Sequence, residues 1–327
     1  MKECDWSSDV CSSDLSLFED NAEHGYGMYT AQKVIRENLA EKTHALLAID
    51  WTAAELKEAA QKWLDTMEDG AANKEAAKAY IAALEESICD GCDCDACKLA
   101  SEILSQKDYL SKKSVWIFGG DGWAYDIGFG GVDHVLAQNE DVNIFVFDTE
   151  VYSNTGGQAS KASNIGQVAQ FAAAGKETKK KSLAEIAMSY GYIYVAQVAM
   201  GANQAQTLKA IAEAEAYHGP SLIIGYAPCE MHSIKGGMMH CQEEMKKAVD
   251  CGYWNMFRFD PSKETGKFTL DSKQPKGGYQ EFLMNEARYS RLTREFPERA
   301  NELFERNEES AKARYEHLLK LVEMYKD

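Results

Sequence analysis

The stretch that decides the fold runs from Val115 to Gly157 and reads VWIFGGDGWAYDIGFGGVDHVLAQNEDVNIFVFDTEVYSNTGG. It holds two short runs of β-branched and aromatic residues, Val115–Phe118 and Val142–Phe147, with a helical pattern at 127–138 between them. A strand, a helix and a second strand at this spacing predict a βαβ unit, in which the two strands lie parallel.

The same alternation continues along the chain. Further strand-like runs lie at 192–198 and 222–226, with helical patterns at 182–190 and 203–217. We therefore expect an α/β fold with a mostly parallel sheet covered by helices on both faces. The first two strands also carry alternating aromatic side chains that are expected in the sheet core. These are Trp116, Phe118, Phe145 and Phe147.

Composition excludes several classes of partner. The chain has 327 residues, of which 45% are hydrophobic, and this is enough apolar material for a large core. A net charge of −17 argues against binding to nucleic acid or to anionic membranes, because both need clustered positive charge. Nine cysteines in a chain of this length, without a signal-peptide pattern, favour a reducing cytoplasm.

The loops that follow the first two strands are the places to look for chemistry, because ligands bind at the carboxyl ends of parallel strands. Gly120 and Gly122 allow close backbone approach, and Asp121 between them offers a carboxylate to a hard cation. Thr149, Val151 and Asn154 add hydroxyl, carbonyl and amide oxygens, which suit magnesium. Although an isolated Gly-Asp-Gly is more often a tight turn, two oxygen-rich loops at one end of a sheet favour a site for magnesium and diphosphate.

Other phosphate-binding and catalytic patterns are missing from the sequence. A dinucleotide fingerprint would need glycine at 125 or at 133, where Tyr125 and Asp133 stand. The sequence contains no GxxxxGK[ST], GxSxG or HExxH. Nicotinamide, P-loop, esterase and zincin functions are therefore disfavoured.

The sequence resembles the C-terminal, thiamine-diphosphate-binding part of the pyruvate:ferredoxin (flavodoxin) oxidoreductases, in the 2-oxoacid:acceptor family. The resemblance rests on GGDGWAYDIGFGGVDHVLA and VFDTEVYSNTGGQASKAS, and it extends to SLFEDNAEHGYGM, YAPCEMHSIKGGM and the tail around 279–297. It implies oxidative decarboxylation of pyruvate to acetyl-CoA and CO2, with electrons passed through iron–sulfur clusters to ferredoxin or flavodoxin.

The resemblance also implies roles for particular residues. Magnesium would be held by Asp121, Thr149 and the Val151 carbonyl, and Thr149 stands where related thiamine enzymes have Asn. Asn154 would reach the reacting cofactor as the catalytic contact, and Cys229 would be one ligand of a 4Fe-4S cluster. The cofactor would be lined by Gly120, Asp121, Gly122, Trp123, Thr149, Glu150, Val151, Tyr152, Ser153 and Asn154.

The expected organisation has four parts. Residues 1–15 contain DWSSDVCSSDL, which resembles a translated sequencing adapter, and are expected to be a non-native scar. Residues 16–113 would be the start of the thiamine diphosphate domain with a helical, Cys-containing insertion. Residues 114–259 would be the α/β core, and 260–327 a helical tail beginning with a loop. On this interpretation the natural protein continues upstream, and this chain alone is expected not to turn over pyruvate.

A second cluster of cysteines has the spacing CxxCxCxxC and leaves three interpretations open: a zinc or iron–sulfur site, a redox-sensitive thiol pair, and an unliganded insertion loop. The cluster consists of Cys89, Cys92, Cys94 and Cys97. Lys179–Lys181 is predicted to be a solvated basic loop, with docking of an acidic electron carrier as the alternative.

Three functions therefore remain open. The leading one is a fragment of a pyruvate:ferredoxin oxidoreductase with magnesium, thiamine diphosphate and one cluster ligand, working with coenzyme A, the rest of its polypeptide and a second copy in a homodimer. Another 2-oxoacid:ferredoxin oxidoreductase is the second. The third is a non-catalytic metal-binding or interaction module built on residues 28–113.

Overall fold

The computed structural model describes residues 21–50, 52–89 and 94–327. The predicted scar at 1–15 and the central cysteine Cys92 lie outside the described residues. The chain divides into two compact units. One comprises Tyr26–Val115, and the other comprises residues 21–25 together with Trp116–Asp327.

The Tyr26–Val115 unit is helical. Its helices are α1 (Ala22–Leu47, which begins in the other unit), α2 (Ala54–Asp65), α3 (Gly70–Ser87) and α4 (Asp95–Ser105). Asp69 caps α3 by accepting hydrogen bonds from the main-chain N–H groups of Ala71 and Ala72. Apolar residues at three- and four-residue spacing, such as Trp63, Tyr80 and Leu84, meet in a buried core. The helical insertion predicted from sequence is confirmed.

The other unit is built on a mixed sheet that has six strands within the described residues. The strands are β1 (Trp116–Gly120), β2 (Asn143–Asp148), β3 (Tyr194–Val198), β4 (Ser221–Tyr226), β5 (Phe257–Phe259) and β6 (Phe268–Leu270), in the order β1-β2-β4-β3-β5-β6. The first four pair in parallel, while β5 and β6 pair antiparallel. The predicted mostly parallel α/β fold is confirmed.

The helices between the parallel strands lie where the sequence predicts them. They are α5 (Phe129–Ala137), α6 (Leu183–Met188) and α7 (Gln204–Ala216). Asn203 caps α7 by accepting a hydrogen bond from Gln206 N–H. A π-helical turn, Gly122–Ile127, lies between β1 and α5 and buries Trp123 and Tyr125.

The remaining helices are α8 (Cys241–Asp250), α9 (Tyr279–Met284), α10 (Ala287–Ser290), α11 (Leu292–Glu295) and α12 (Pro297–Met324). The tail packs onto the sheet unit: Val168 N–H donates to the Arg288 carbonyl, and the Asn307 amide donates to the Ile165 carbonyl. The predicted helical tail is thus confirmed, with its last helix starting at Pro297, but the loop predicted at its beginning contains strand β6.

The prediction for the aromatic residues of the first two strands is wrong for Phe118 and Phe147. Their side chains are 60% and 44% exposed. Trp116 and Phe145 are half-buried and pack against the cluster under α7. Contacts between the rings show that all four lie on one face of the sheet. Helix α7 packs on β3 and β4, and the rings of Phe118 and Phe147 remain exposed.

The described part of the chain contains no helix that is both long and apolar enough to cross a membrane.

Candidate functional site

Three loops meet at the carboxyl ends of β1, β2 and β4. The parallel register pairs Gly120 with Phe147 and Asp148 with Tyr226, so the residues that follow these strands emerge at the same edge of the sheet. Asp121 follows β1, Thr149 follows β2, and the turn 229–232 lies shortly after β4. The sheet therefore brings together residues that are far apart in the sequence.

Three oxygen atoms form a compact cluster at this edge. Asp121 Oδ1 accepts a hydrogen bond from Thr149 N–H at 3.1 Å and lies 2.6 Å from Thr149 Oγ1. Thr149 Oγ1 lies 2.9 Å from the main-chain oxygen of Val151. These are the three groups that the sequence proposes as magnesium ligands, and the structure places them in contact.

The second carboxylate oxygen of Asp121, Oδ2, gives the clearer indication that a cation binds here. Oδ2 is buried and, among the described residues, has no hydrogen-bond partner. Burial, helped by the nearby carboxylate of Asp148, raises the pKa of Asp121 to about 8. A buried, orphaned carboxylate oxygen is the kind of group that a bound cation would satisfy.

The cluster fits an octahedral magnesium shell. Adjacent ligands at a metal–oxygen distance of 2.0–2.1 Å are separated by about 2.9 Å along an octahedron edge. The two oxygen–oxygen distances of 2.6 and 2.9 Å are hydrogen-bond lengths of the Thr149 hydroxyl, and they are also compatible with that edge length. One carboxylate with neutral hydroxyl and carbonyl oxygens also leaves positions for diphosphate oxygens and water. Asp121, Thr149 and Val151 could therefore hold the metal.

The first loop is shaped by packing as well as by its freedom to turn. A Cβ atom on Gly122 would lie 2.5 Å from the Tyr152 ring, and one on Gly119 would lie 2.3 Å from the Trp123 indole. Trp123 is itself only 3% exposed. The two aromatic rings thus fix the position of the loop, which explains two glycines without requiring a ligand.

The second loop connects the oxygen cluster to a cysteine. Ser153 Oγ lies 3.0 Å from Thr149 Oγ1 and 3.1 Å from Cys229 Sγ. Burial raises the pKa of the Cys229 thiol. Asn154 is half-buried in the same loop. The catalytic role of Asn154 and the cluster role of Cys229 stay predictions.

A buried ionic network surrounds Asp148 and Glu150, the residues on either side of Thr149. It was not predicted from the sequence. Lys180 Nζ lies 2.7 Å from Asp148 and 3.0 Å from Glu150, and Arg288 Nη1 lies 2.8 Å from Glu150. Burial opposes ionisation of Glu150, but Lys180 and Arg288 outweigh it and hold the pKa of Glu150 down to about 2. The prediction that 179–181 is a solvated loop is wrong for Lys180, whose side chain is 12% exposed.

His232 and Glu286 extend this network toward Cys229. His232 is fully buried, and its Nε2 lies 2.8 Å from the main-chain oxygen of Thr149. Its Nδ1 lies 3.6 Å from Glu286, which is paired with Arg288 at 2.6 Å. No local pattern in the sequence marks Glu286 or Arg288.

Four buried carboxyl groups of this region face the cations of Lys180 and Arg288 and the imidazole of His232; they belong to Asp121, Asp148, Glu150 and Glu286. Because burial raises the pKa of Asp121 to about 8, that carboxyl is mostly neutral near pH 7 unless a cation stabilises its charged form. A divalent metal beside Asp121 would supply that cation.

The cysteine cluster of the helical unit stays a prediction. Cys89 is exposed, Cys94 is half-buried and Cys97 is buried, while Cys92 lies outside the described residues. Cys94 Sγ accepts a hydrogen bond from Cys97 N–H at the start of α4. Within the described ranges there is no group of three or more His, Cys, Asp or Glu side chains arranged to hold a metal.

Comparison with known proteins adds an independent result. Residues 97–224 match the family described as thiamine pyrophosphate enzyme, C-terminal TPP binding domain. The chain is 51% identical over 311 residues to the pyruvate:ferredoxin oxidoreductase of Moorella thermoacetica, and 49% identical over 313 residues to the pyruvate-flavodoxin oxidoreductase of Klebsiella pneumoniae. Each alignment covers 94% of this chain and 26% of the relative, so the chain spans about a quarter of the length of these curated relatives.

Among solved structures, a 2-oxoglutarate:ferredoxin oxidoreductase from Magnetococcus marinus matches with a TM-score of 0.33 and 25% identity, over 35% of this chain and 40% of that one. The sequence comparisons confirm the predicted resemblance to the pyruvate:ferredoxin and pyruvate-flavodoxin oxidoreductases. The thiamine pyrophosphate match includes strands β1 to β3, the first four residues of β4 and both loops of the oxygen cluster.

Proposed function

We propose that this chain holds the magnesium and diphosphate end of thiamine diphosphate in a pyruvate:ferredoxin or pyruvate-flavodoxin oxidoreductase. One observation carries the proposal. Asp121, Thr149 and Val151 present adjacent oxygens, beside a carboxylate oxygen with no hydrogen-bond partner among the described residues, inside the segment that matches a thiamine pyrophosphate domain.

Asp121 would bind the cation with a charged oxygen, and Thr149 and Val151 with uncharged ones. Asp121 would give up its proton when the cation arrives, because the metal stabilises the carboxylate that burial disfavours. Thr149 and Val151 add uncharged ligands, so the site keeps enough positive charge to attract a diphosphate. Bound thiamine diphosphate supplies carbanion chemistry at a 2-oxo group, and the protein supplies its position.

The finer assignments belong to the same proposal. Cys229 would contribute one thiolate to a 4Fe-4S cluster, and because such clusters take four cysteines, three further thiolates would be needed. The described residues contain no group of three or more His, Cys, Asp or Glu side chains arranged to hold a metal. Pyruvate, coenzyme A and ferredoxin or flavodoxin would be the reaction partners, in a cytoplasmic homodimer. The relatives named above for pyruvate with ferredoxin or flavodoxin support this choice.

Titration calorimetry tests the binding function directly. Thiamine diphosphate should bind the wild-type chain only when magnesium is present, and Asp121→Ala should abolish that binding. Asp133→Ala is the matched control, because Asp133 lies on α5 and bonds to Tyr190 away from the cluster. Folded wild-type protein that binds no cofactor at millimolar magnesium, or equal binding by Asp121→Ala, would refute the proposal.

A further inference from the structure

Glu150 occupies the position between the two second-loop residues of the oxygen cluster, and its backbone is unusual. Its φ angle is 61°, in the left-handed region that residues with a Cβ atom seldom adopt. Its side chain, predicted from the resemblance to line the cofactor, is fully buried and bonds to Lys180 and Arg288. Something in the surroundings must hold this residue in place.

The carboxylate of Glu150 is held at both oxygens. Oε1 accepts hydrogen bonds from Asn164 Nδ2 at 2.9 Å and from Lys180 Nζ at 3.0 Å. Oε2 accepts from Arg288 Nη1 at 2.8 Å and from the Tyr253 hydroxyl. Charge-assisted hydrogen bonds of this kind are strong and directional in a buried site.

The main chain of Glu150 is held as well. Its carbonyl oxygen accepts hydrogen bonds from Ser163 Oγ at 2.5 Å and from Gln167 Nε2 at 3.0 Å. Arg288, which reaches Glu150 from the tail helix α10, is itself only 3% exposed and is anchored by Glu286. The conformation at residue 150 is therefore determined from several directions at once.

The consequence concerns the neighbouring residues. Thr149 Oγ1 and the Val151 carbonyl lie 2.9 Å apart on either side of Glu150, and the left-handed turn at 150 brings both to the same side. If residue 150 relaxed to an ordinary helical or extended φ, the Val151 carbonyl would turn away from Thr149. The geometry of the oxygen cluster thus depends on an ion pair that does not touch the cluster.

We propose that Glu150 and Arg288 are positioning residues that set the metal affinity of the Asp121–Thr149–Val151 cluster. Their contribution resembles that of the outer hydrogen-bond partners that orient ligands in metal sites. The metal in this inference rests on the proposed function. The effect of Glu150 on the conformation of residues 149–151, however, can be measured in metal-free protein.

The test uses Glu150→Gln in the full chain, with Glu244→Gln as the matched control. Glu244 is equally buried and is paired with Lys247 and Asn285, so its substitution also removes a buried charge. Manganese affinity is measured by electron paramagnetic resonance, and amide hydrogen exchange is measured at 149–151 in metal-free protein. A purely structural role would affect the two variants alike.

For Glu150→Gln, we expect manganese binding to weaken by about 10- to 100-fold. Exchange at 149–151 should accelerate, while Glu244→Gln changes neither quantity. If Glu150→Gln does not fold, the triple variant Glu150→Gln/Glu286→Gln/Arg288→Gln replaces it, because it removes both carboxylates that Arg288 faces and leaves Lys180 paired with Asp148. Folded protein with unchanged exchange at 149–151 would overturn the inference. If wild-type protein binds no manganese, the proposed function fails, and the exchange data alone decide the inference.

Discussion

Asp121 and Thr149 are joined by two contacts across 28 positions of sequence: Asp121 Oδ1 lies 3.1 Å from Thr149 N and 2.6 Å from Thr149 Oγ1. The main-chain contact fixes the distance between the loops after β1 and β2. The hydroxyl contact places a neutral oxygen beside the carboxylate. Because the two contacts use different atoms of Thr149, substitution of its side chain can remove the hydroxyl contact and keep the main-chain one.

The hydroxyl of Thr149 should matter for metal binding more than for folding. Thr149→Val keeps the main-chain contact and the shape of the side chain, so we expect it to cost only about 1–2 kcal/mol of stability. Metal affinity should fall at least about tenfold. Thr149→Ser restores the hydroxyl and should restore binding, as measured by calorimetry with magnesium and thiamine diphosphate. Equal affinity of the Val and Ser variants would rule out the hydroxyl as a ligand.

Lys180 should be essential for stability. Lys180→Met leaves the buried carboxylates of Asp148 and Glu150 without their shared cation, and breaking a buried pair in this way costs about 3–5 kcal/mol. The neighbouring Lys179 is exposed, so Lys179→Met should change stability by less than about 0.5 kcal/mol. Urea unfolding of the two variants makes the comparison, and similar midpoints would contradict the buried position of Lys180.

Much of this architecture could be predicted from local sequence. The parallel strands are continuous apolar runs separated by helical patterns, which predict the fold. Ligands bind at the carboxyl ends of such strands, and this rule alone indicates Asp121 and Thr149. Strands β5 and β6 were not predicted, because each spans only three residues and shows no usable periodicity.

The ionic network could not be predicted for a different reason. Arg288 lies 138 positions from Glu150, and nothing near Arg288 in the sequence marks it as buried. Lys180 sits in a run of lysines, a pattern typical of solvated loops. Burial of these charges depends on tertiary contacts with partners elsewhere in the chain, which a single sequence does not display.

The exposed ring of Phe118 should contribute little to stability compared with a buried ring in the same sheet. Phe259 in β5 is 1% exposed, so Phe259→Ala should cost about 3–5 kcal/mol. Phe118→Ala removes a ring that is 60% exposed and should cost well under half as much. Thermal unfolding of both variants tests this, and equal losses would mean that Phe118 is covered in solution.

Cys251 should react slowly with alkylating reagents. Burial raises the pKa of its thiol to about 12, so at pH 8 only about one molecule in ten thousand carries the reactive thiolate. Lowering the pH reduces this fraction further, while Cys89 is exposed to reagent throughout. Mass spectrometry after iodoacetamide treatment should show Cys89 labelled first and both labelled in urea. Equal labelling of the native protein would contradict the buried position of Cys251.

A crystal of this chain soaked with manganese and thiamine diphosphate, with the metal located by its anomalous scattering, tests the proposed metal site directly. We predict one manganese peak bonded to Asp121, Thr149 Oγ1 and the Val151 carbonyl, with diphosphate oxygens completing the shell. A manganese–diphosphate complex bound elsewhere, with the contact between Asp121 and Thr149 intact and no metal beside it, would show that these residues do not hold the metal.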